Sequence, residues 1–173
     1  MRPRVTVYIA TSLDQYIARP DGSLDWLESV QVEGEDYGYA AFMAAVDCLV
    51  MGRSTWNVVA GFEPWPYAGK RLVVLTHRPL EASHAEETHA GPLGPLLDRL
   101  GASGVRHVYL DGGQTITAGL REGVVDEMIL SVLPCLLGAG IPLFGDGMPQ
   151  TGWTLVETRG YPSGLVQTRY ARG

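Results

Sequence analysis

Three short segments bring together residue types that can hold an anion. Met51-Gly52-Arg53-Ser54-Thr55-Trp56 places a glycine, a guanidinium and two hydroxyls directly after an apolar run. Backbone N–H groups at a helix start, joined by hydroxyls and an arginine, make a phosphate site on physical grounds. A capped helix carrying one surface arginine has the same spacing, and both readings stand. Leu75-Thr76-His77-Arg78 gathers a hydroxyl, an imidazole and a guanidinium at one place, as a polar strand-to-loop junction also would. Asp111-Gly112-Gly113-Gln114-Thr115 pairs glycines before a helical pattern, so the backbone can approach a ligand. Paired glycines also occur in ordinary turns.

These segments need elements to position them. Residues 5–10 alternate as a strand, 48–51 and 71–75 are short apolar strands, and 107–110 and 124–133 supply two more. Helical spacing covers 36–46, 54–59 (with Ser54 as cap), 92–100 and 114–120. Residues 153–159 and 164–170 form a terminal antiparallel hairpin around Tyr161-Pro162-Ser163. Residues 11–23 make a turn-rich loop, and 80–91 is polar with no clear element. Strand-helix alternation with a β-rich tail predicts an α/β sheet, mostly parallel, with antiparallel strands at one edge, in a single domain over 1–173. All three anion-competent segments follow strands, so they should converge on one rim, where open α/β sheets bind ligands.

Composition narrows the classes. The chain has 173 residues, 46% hydrophobic and 18% charged, enough for a core without disulfide or metal support. Thirteen basic and nineteen acidic residues give a net charge of −6, which speaks against nucleic acid or an anionic membrane as a generic partner. Residues 20–52 contain no Lys or Arg and seven acids, Asp21, Asp25, Glu28, Glu33, Glu35, Asp36 and Asp47, so this segment sums to −7 and the rest to +1. Cys48 and Cys135 lie in apolar runs and read as buried free thiols of a reducing, cytoplasmic setting. No Cys/His set has metal-ligand spacing, so no metal and no zinc deaminase activity are expected. No apolar run reaches the ~18 residues of a membrane span. Neither a Gly-x-Gly-x-x-Gly fingerprint nor a phosphate-binding loop ending in Gly-Lys-Ser/Thr is present.

The motif 51–56 closely resembles the Met-Gly-Arg-x-Thr-Trp stretch of dihydrofolate reductases. The order Ala10, Leu13-Asp14, Arg53, Leu75-Thr76-His77-Arg78 and Gly112-Gly113 is similar too. In the last third, Gly123-Val124-Val125-Asp126-Glu127 and the run from Pro134 to Phe144 resemble the reductase domain of bacterial riboflavin biosynthesis and its stand-alone relatives. The resemblance implies a dihydrofolate reductase-like three-layer fold, a homodimer, and an NADPH-dependent hydride transfer to an imine-type carbon. The substrate it implies is a ribosylaminopyrimidine phosphate, of the 5-amino-6-(5-phosphoribosylamino)uracil type, or a pteridine, with dihydrofolate as runner-up. A non-catalytic nucleotide- or pterin-binding protein of the same fold is the alternative class.

It also implies site residues. Gly52, Arg53, Ser54, Thr55, Leu75, Thr76, His77 and Arg78 would meet the cofactor phosphates, the second group around the 2′-phosphate. Asp111, Gly112, Gly113, Gln114 and Thr115 would approach the pyrophosphate, with a cis Gly112–Gly113 bond. Ala10 and Ile17 would frame the nicotinamide beneath a cover loop carrying Asp14, which would face substrate; independently of the resemblance, Trp26 follows that cover loop and is a candidate to line the substrate pocket. Asp36, fifteen positions before Met51, matches the spacing of the catalytic acid of bacterial dihydrofolate reductases; Glu33 and Glu35 are close alternatives, and Asp111 a second candidate. Solvated acids at a helix start would look the same. Two departures stand out. Gln15 replaces the usual glycine of Leu-Asp-Gly, and the riboflavin-pathway lysine of the first strand is missing. Asp126-Glu127 reads as an exposed edge, His84 and His89 as solvated, and residues 128–137 as an interface or a buried central strand.

Overall fold

The computed structural model describes residues 1–81 and 84–173. Ten strands form, β1 (Arg4–Thr11), β2 (Tyr16–Ala18), β3 (Cys48–Gly52), β4 (Arg71–Leu75), β5 (Glu87–His89), β6 (His107–Asp111), β7 (Glu127–Val132), β8 (Ile141–Pro142), β9 (Trp153–Gly160) and β10 (Val166–Arg172). Four α-helices accompany them, α1 (Tyr39–Ala45), α2 (Arg53–Val59), α3 (Leu93–Ala102) and α4 (Gly113–Arg121), together with a 3-10 turn at Asp25–Val30. Eight strands make one sheet in the order β5-β4-β3-β6-β1-β7-β10-β9, parallel from β5 to β7 and antiparallel from β7 through β10 to β9. β2 and β8 pair separately.

Period-two alternation sends side chains to opposite faces. Val5, Val7, Val50, Val108 and Leu110 pack on one face against Leu93, Leu96, Leu97 and Leu100 of α3 and Ile116 of α4. Leu49, Met51, Leu72, Val74 and Tyr109 pack on the other against Phe42 and Met43 of α1 and Trp56 and Val59 of α2. The result is the three-layer α/β arrangement expected. A third cluster joins Trp26 and Val30 of the 3-10 turn to Leu133, Tyr161 and Leu165.

Several local readings need correction. The first helix starts at Tyr39 instead of residue 36, because Gly38 adopts φ 85° and both Asp36 oxygens are taken by the N–H groups of Gly38 and Ala40, at 2.9 Å each. Ser54 does not cap α2: the helix begins one residue earlier, with Gly52 as cap and no side-chain cap bond. The strand expected over 124–133 is confined to β7, which lies between β1 and β10. Glu127 is therefore buried, not at an exposed edge; it pairs with Arg4 at 2.6 Å and accepts from the Thr6 hydroxyl at 3.3 Å. The same position makes 128–132 an interior strand, while Leu136 beyond it is exposed. Cys135 is half-buried, unlike the fully buried Cys48. His84 is exposed, as expected, and stacks on Trp65 with ring centres 4.0 Å apart, whereas His89 is half-buried in β5 within 3.1 Å of the Pro92 carbonyl.

Gln15 occupies the left-handed region at φ 64°, which accounts for the glycine expected there. Its side chain is exposed, so nothing beyond backbone strain opposes replacement. Gln15→Gly should raise stability by about 0.5 kcal/mol, relief of a roughly 1 kcal/mol penalty partly offset by unfolded-chain entropy. Thermal unfolding of the variant checks this; a lower midpoint would show that the turn tolerates Gln without strain.

Candidate active site

β4, β3 and β6 are neighbours and parallel, so their C-terminal ends share one rim. Met51 pairs with Asp111 and Gly52 with Leu75, which sets the three junctions side by side. At the first junction, Arg53 donates to the Pro79 carbonyl at 2.7 Å and its guanidinium lies 5.8 Å from the Trp56 ring centre. Trp56 Nε1 in turn donates to Glu86 at 3.0 Å, fixing the indole. At the second, the Thr76 hydroxyl accepts from the Arg78 N–H at 3.1 Å, turning the chain so that His77 and Arg78 are exposed. Among the described residues, no carboxylate forms an ion pair with Arg53 or Arg78, nor with Arg106, Arg121, Arg159 or Arg172, whereas Arg2, Arg4, Arg19, Arg71, Arg99 and Arg169 each have at least one. Ser54 and Gln114 are exposed on the same rim.

The third junction is the most tightly packed. Gly112 adopts φ 91° and ψ 135°. A Cβ there would overlap Thr55 Oγ1; one on Gly113 would lie 2.9 Å from Ile17 Cδ1, and one on Gly52 would lie 3.1 Å from Thr115 Oγ1. Glycines thus let Thr55, Thr115 and Ile17 close onto the backbone of this turn. The Gly112–Gly113 bond is trans, contrary to expectation; among the described residues the single cis bond is Glu63–Pro64. The positive φ of Gly112 provides the sharp change of direction instead.

Asp111 ends β6 on the same face as Tyr109. Burial raises its carboxyl to about 6, against the opposing pull of the Gly112 N–H, which it accepts at 2.8 Å, and of Tyr109. Its charge in turn helps push the phenol of Tyr39 up to about 12 and that of Tyr67 well above the ordinary range, after burial as the main cause. Tyr39 also lines a cavity of about 670 Å³ between the sheet, the 3-10 turn and residues 31–38. Ala10, Asp36, Tyr8, Ser131 and Leu133 line that cavity with it.

The expected substrate residues divide on this geometry. Asp36 is at the cavity, as are Glu33 and Glu35. The two N–H groups that Asp36 accepts hold its carboxyl below the usual range, so it is ionised at neutral pH and poorly suited to give up a proton. Trp26 does not line the cavity: it is buried behind the wall, and its Nε1 finds no partner among the described residues. Asp14 faces inward; it accepts from the Ser12 hydroxyl at 2.6 Å and from the N–H groups of Leu137 and Gly138 at 3.1 and 2.8 Å, tying the loop after β1 to the one after β7. Ile17 lies against Gly113, and Ala10 adjoins Ser131 across the β1–β7 pairing.

Tyr8, Tyr37, Ser131 and Gln167 were missed in the sequence. Ser131 was findable as the single hydroxyl in an apolar run, and Tyr8 by its shared parity with Ala10. Gln167, which donates to Tyr8, Tyr37 and Ser131, comes from the distant tail and left no local signal.

Sheet order, rim and cavity define a reductase-like α/β domain with the dihydrofolate reductase layering. The RibD C-terminal domain model matches residues 3–167, and the chain belongs to that family. It is 35% identical to YwjB of Bacillus subtilis strain 168, a protein of uncharacterised activity, over 99% of both chains. It is 25% identical to the riboflavin biosynthesis protein RibD of Corynebacterium ammoniagenes over 87% of its own length, but spans 48% of that longer protein. A Shewanella sp. PV-4 structure, provisionally assigned to riboflavin biosynthesis, superposes with TM-score 0.91 at 38% identity, covering 100% of this chain and 99% of that one. Acinetobacter baumannii RibD shares the fold at TM-score 0.74 and 19% identity, over 99% of this chain and 58% of that chain. No helix among the described residues is long and apolar enough to cross a membrane.

Proposed function

We propose that the protein is an NADPH-dependent reductase that adds hydride to an imine-type carbon of a ribosylaminopyrimidine or a related pteridine ring. The observation that carries this reading is the rim itself, where Arg53, His77 and Arg78 stand without carboxylate partners beside the close-packed Gly52, Gly112 and Gly113. The donor set fits the group: guanidinium and imidazole suit a 2′-phosphate, and a side-chain-free turn suits a pyrophosphate. NADPH, when bound, supplies the hydride. Arg53 and Arg78 hold phosphate, Thr55 and Thr115 pack the turn, and Ala10 and Ile17 bound the space between rim and cavity.

The acceptor nitrogen needs a proton once carbon has taken hydride. Asp111 can carry that proton near neutral pH, since burial has raised its carboxyl to about 6. Tyr39, which lines the cavity, is within electrostatic reach of Asp111, while Asp36 stays charged.

Arg78→Ala should weaken NADPH binding by about tenfold or more and leave NADH binding nearly unchanged, since losing one charge-assisted contact costs roughly 1.5–3 kcal/mol. Fluorescence titration with both cofactors checks this. Equal losses for the two would remove the 2′-phosphate assignment. NADPH oxidation measured side by side with the ribosylaminopyrimidine and with dihydrofolate tests the reaction, and no oxidation with either would favour a binding protein.

A further inference from the structure

The cavity beside Ala10 and Ser131 is one-sided in charge. Its apolar wall includes Leu27, Val30, Leu133 and Leu165, and its charged lining residues are Glu33, Glu35 and Asp36, with no Lys, Arg or His among them. The surrounding segment cannot supply a cation, because residues 20–52 contain none. Arg19, just before it, is committed to Asp25 through two bonds of 2.7 and 3.0 Å.

Three arginines lie nearby but behind a wall. Arg4, Arg159 and Arg169 line a separate groove over the sheet face. Between groove and cavity, Tyr8 donates to the Tyr37 carbonyl at 2.7 Å, and Gln167 Nε2 reaches Tyr8, Tyr37 and Ser131 at 3.1, 3.1 and 3.0 Å. Arg4 pairs with Glu127 at 2.6 Å, Arg169 stands 3.8 Å from Glu127 and 3.9 Å from Glu157, and Arg159 lies 4.6 Å from the Tyr161 ring centre. Among the described residues that line the cavity, an entering phosphate would meet three carboxylates and no cation.

We infer that this cavity takes a phosphate-free, uncharged or cationic amino-substituted ring and rejects its phosphate ester. The inference rests on the reading of the cavity as the reductase's substrate site, and it narrows that substrate to the dephosphorylated form. Ring and exocyclic N–H donors suit carboxylate acceptors, and the apolar wall suits the ring faces. A dianion placed among like charges is disfavoured by several interactions at once, which is selection by repulsion.

The test is calorimetric titration of the intact protein with the ribosylaminopyrimidine and with its 5′-phosphate, with NADP⁺ present. Binding of the phosphate-free form at least about tenfold tighter, a difference of roughly 1.4 kcal/mol, is the expected result. Glu33→Lys, at an exposed position, should narrow that gap by about tenfold. Equal or tighter binding of the phosphate, or no binding of either, overturns the inference. Failure of the reductase reading shows differently: the phosphate-free ring binds selectively but NADPH is not oxidised.

Discussion

Asp111→Asn should make the protein more stable above pH 7 and cost it most of its turnover. The two effects have one source. Wild-type Asp111 titrates at about 6 when folded against an ordinary 3.8, so the folded chain holds its proton more tightly than the unfolded chain. Stability from this group is complete below about pH 4 and is lost as pH rises to about 6. Above that, the folded state carries a charge at a half-buried position, whose cost is at most about 3 kcal/mol. Asparagine keeps an oxygen for the Gly112 N–H and has no charge to bury. The variant should therefore match wild type near pH 4 and gain up to about 3 kcal/mol at pH 8, a rise of several degrees in Tm for a domain of this size. Losing a general acid should lower kcat by about 10²-fold or more and abolish the fall in rate above pH 6. Thermal melts at pH 4 and 8, with pH–rate profiles, check both. A variant that keeps wild-type turnover would end the assignment of Asp111 as proton source.

The proton source also shows what sequence reading can and cannot reach. Asp111 and Asp36 were both visible as acids at meaningful positions, and spacing alone favoured Asp36. What separates them is environment. The carboxylate of Asp36 faces two freed N–H groups of a helix that starts late, whereas that of Asp111 lies among tyrosines from β6, α1 and the segment before β4. The tyrosines Tyr39, Tyr67 and Tyr109 meet only once the sheet has placed β6 beside β3 and β1. The three rim junctions, by contrast, were legible because strand ends in parallel sheets share a side whatever the sheet order. Failures followed the same division. Glu127 read as an edge residue because its charge, taken alone, argues for solvent. Its partners Arg4 and Arg169 arrive from β1 and β10, far away in sequence. Trp26 followed the cover loop and so looked available to substrate, but the tail hairpin's Tyr161 and Leu165 bury it. Local pattern determines elements and their ends; burial of a polar group depends on which distant strand lies next to it.

Gly112→Ala should lose both stability and NADPH binding, and the pair with Thr55 separates the causes. At φ 91° and ψ 135° a residue with a Cβ is strained by about 1–3 kcal/mol whatever surrounds it. The added methyl would also overlap Thr55 Oγ1, and overpacking of this kind costs about 1–3 kcal/mol more. Denaturant unfolding should then report a loss of roughly 2–5 kcal/mol, with NADPH affinity falling because the turn that would face pyrophosphate has moved. Thr55→Ala removes the hydroxyl and the γ-methyl but leaves Cβ, which would lie at an acceptable 3.4 Å from the new methyl. The double variant should regain the steric part and keep the conformational part, so the two substitutions are non-additive by about 1–3 kcal/mol. Recovery of stability without recovery of NADPH binding would place the Thr55 hydroxyl itself on the cofactor; recovery of both would make it packing alone. Wild-type stability in Gly112→Ala would show that the turn relaxes to a conformation with negative φ and that the close approach of Thr55 is not what holds this junction together.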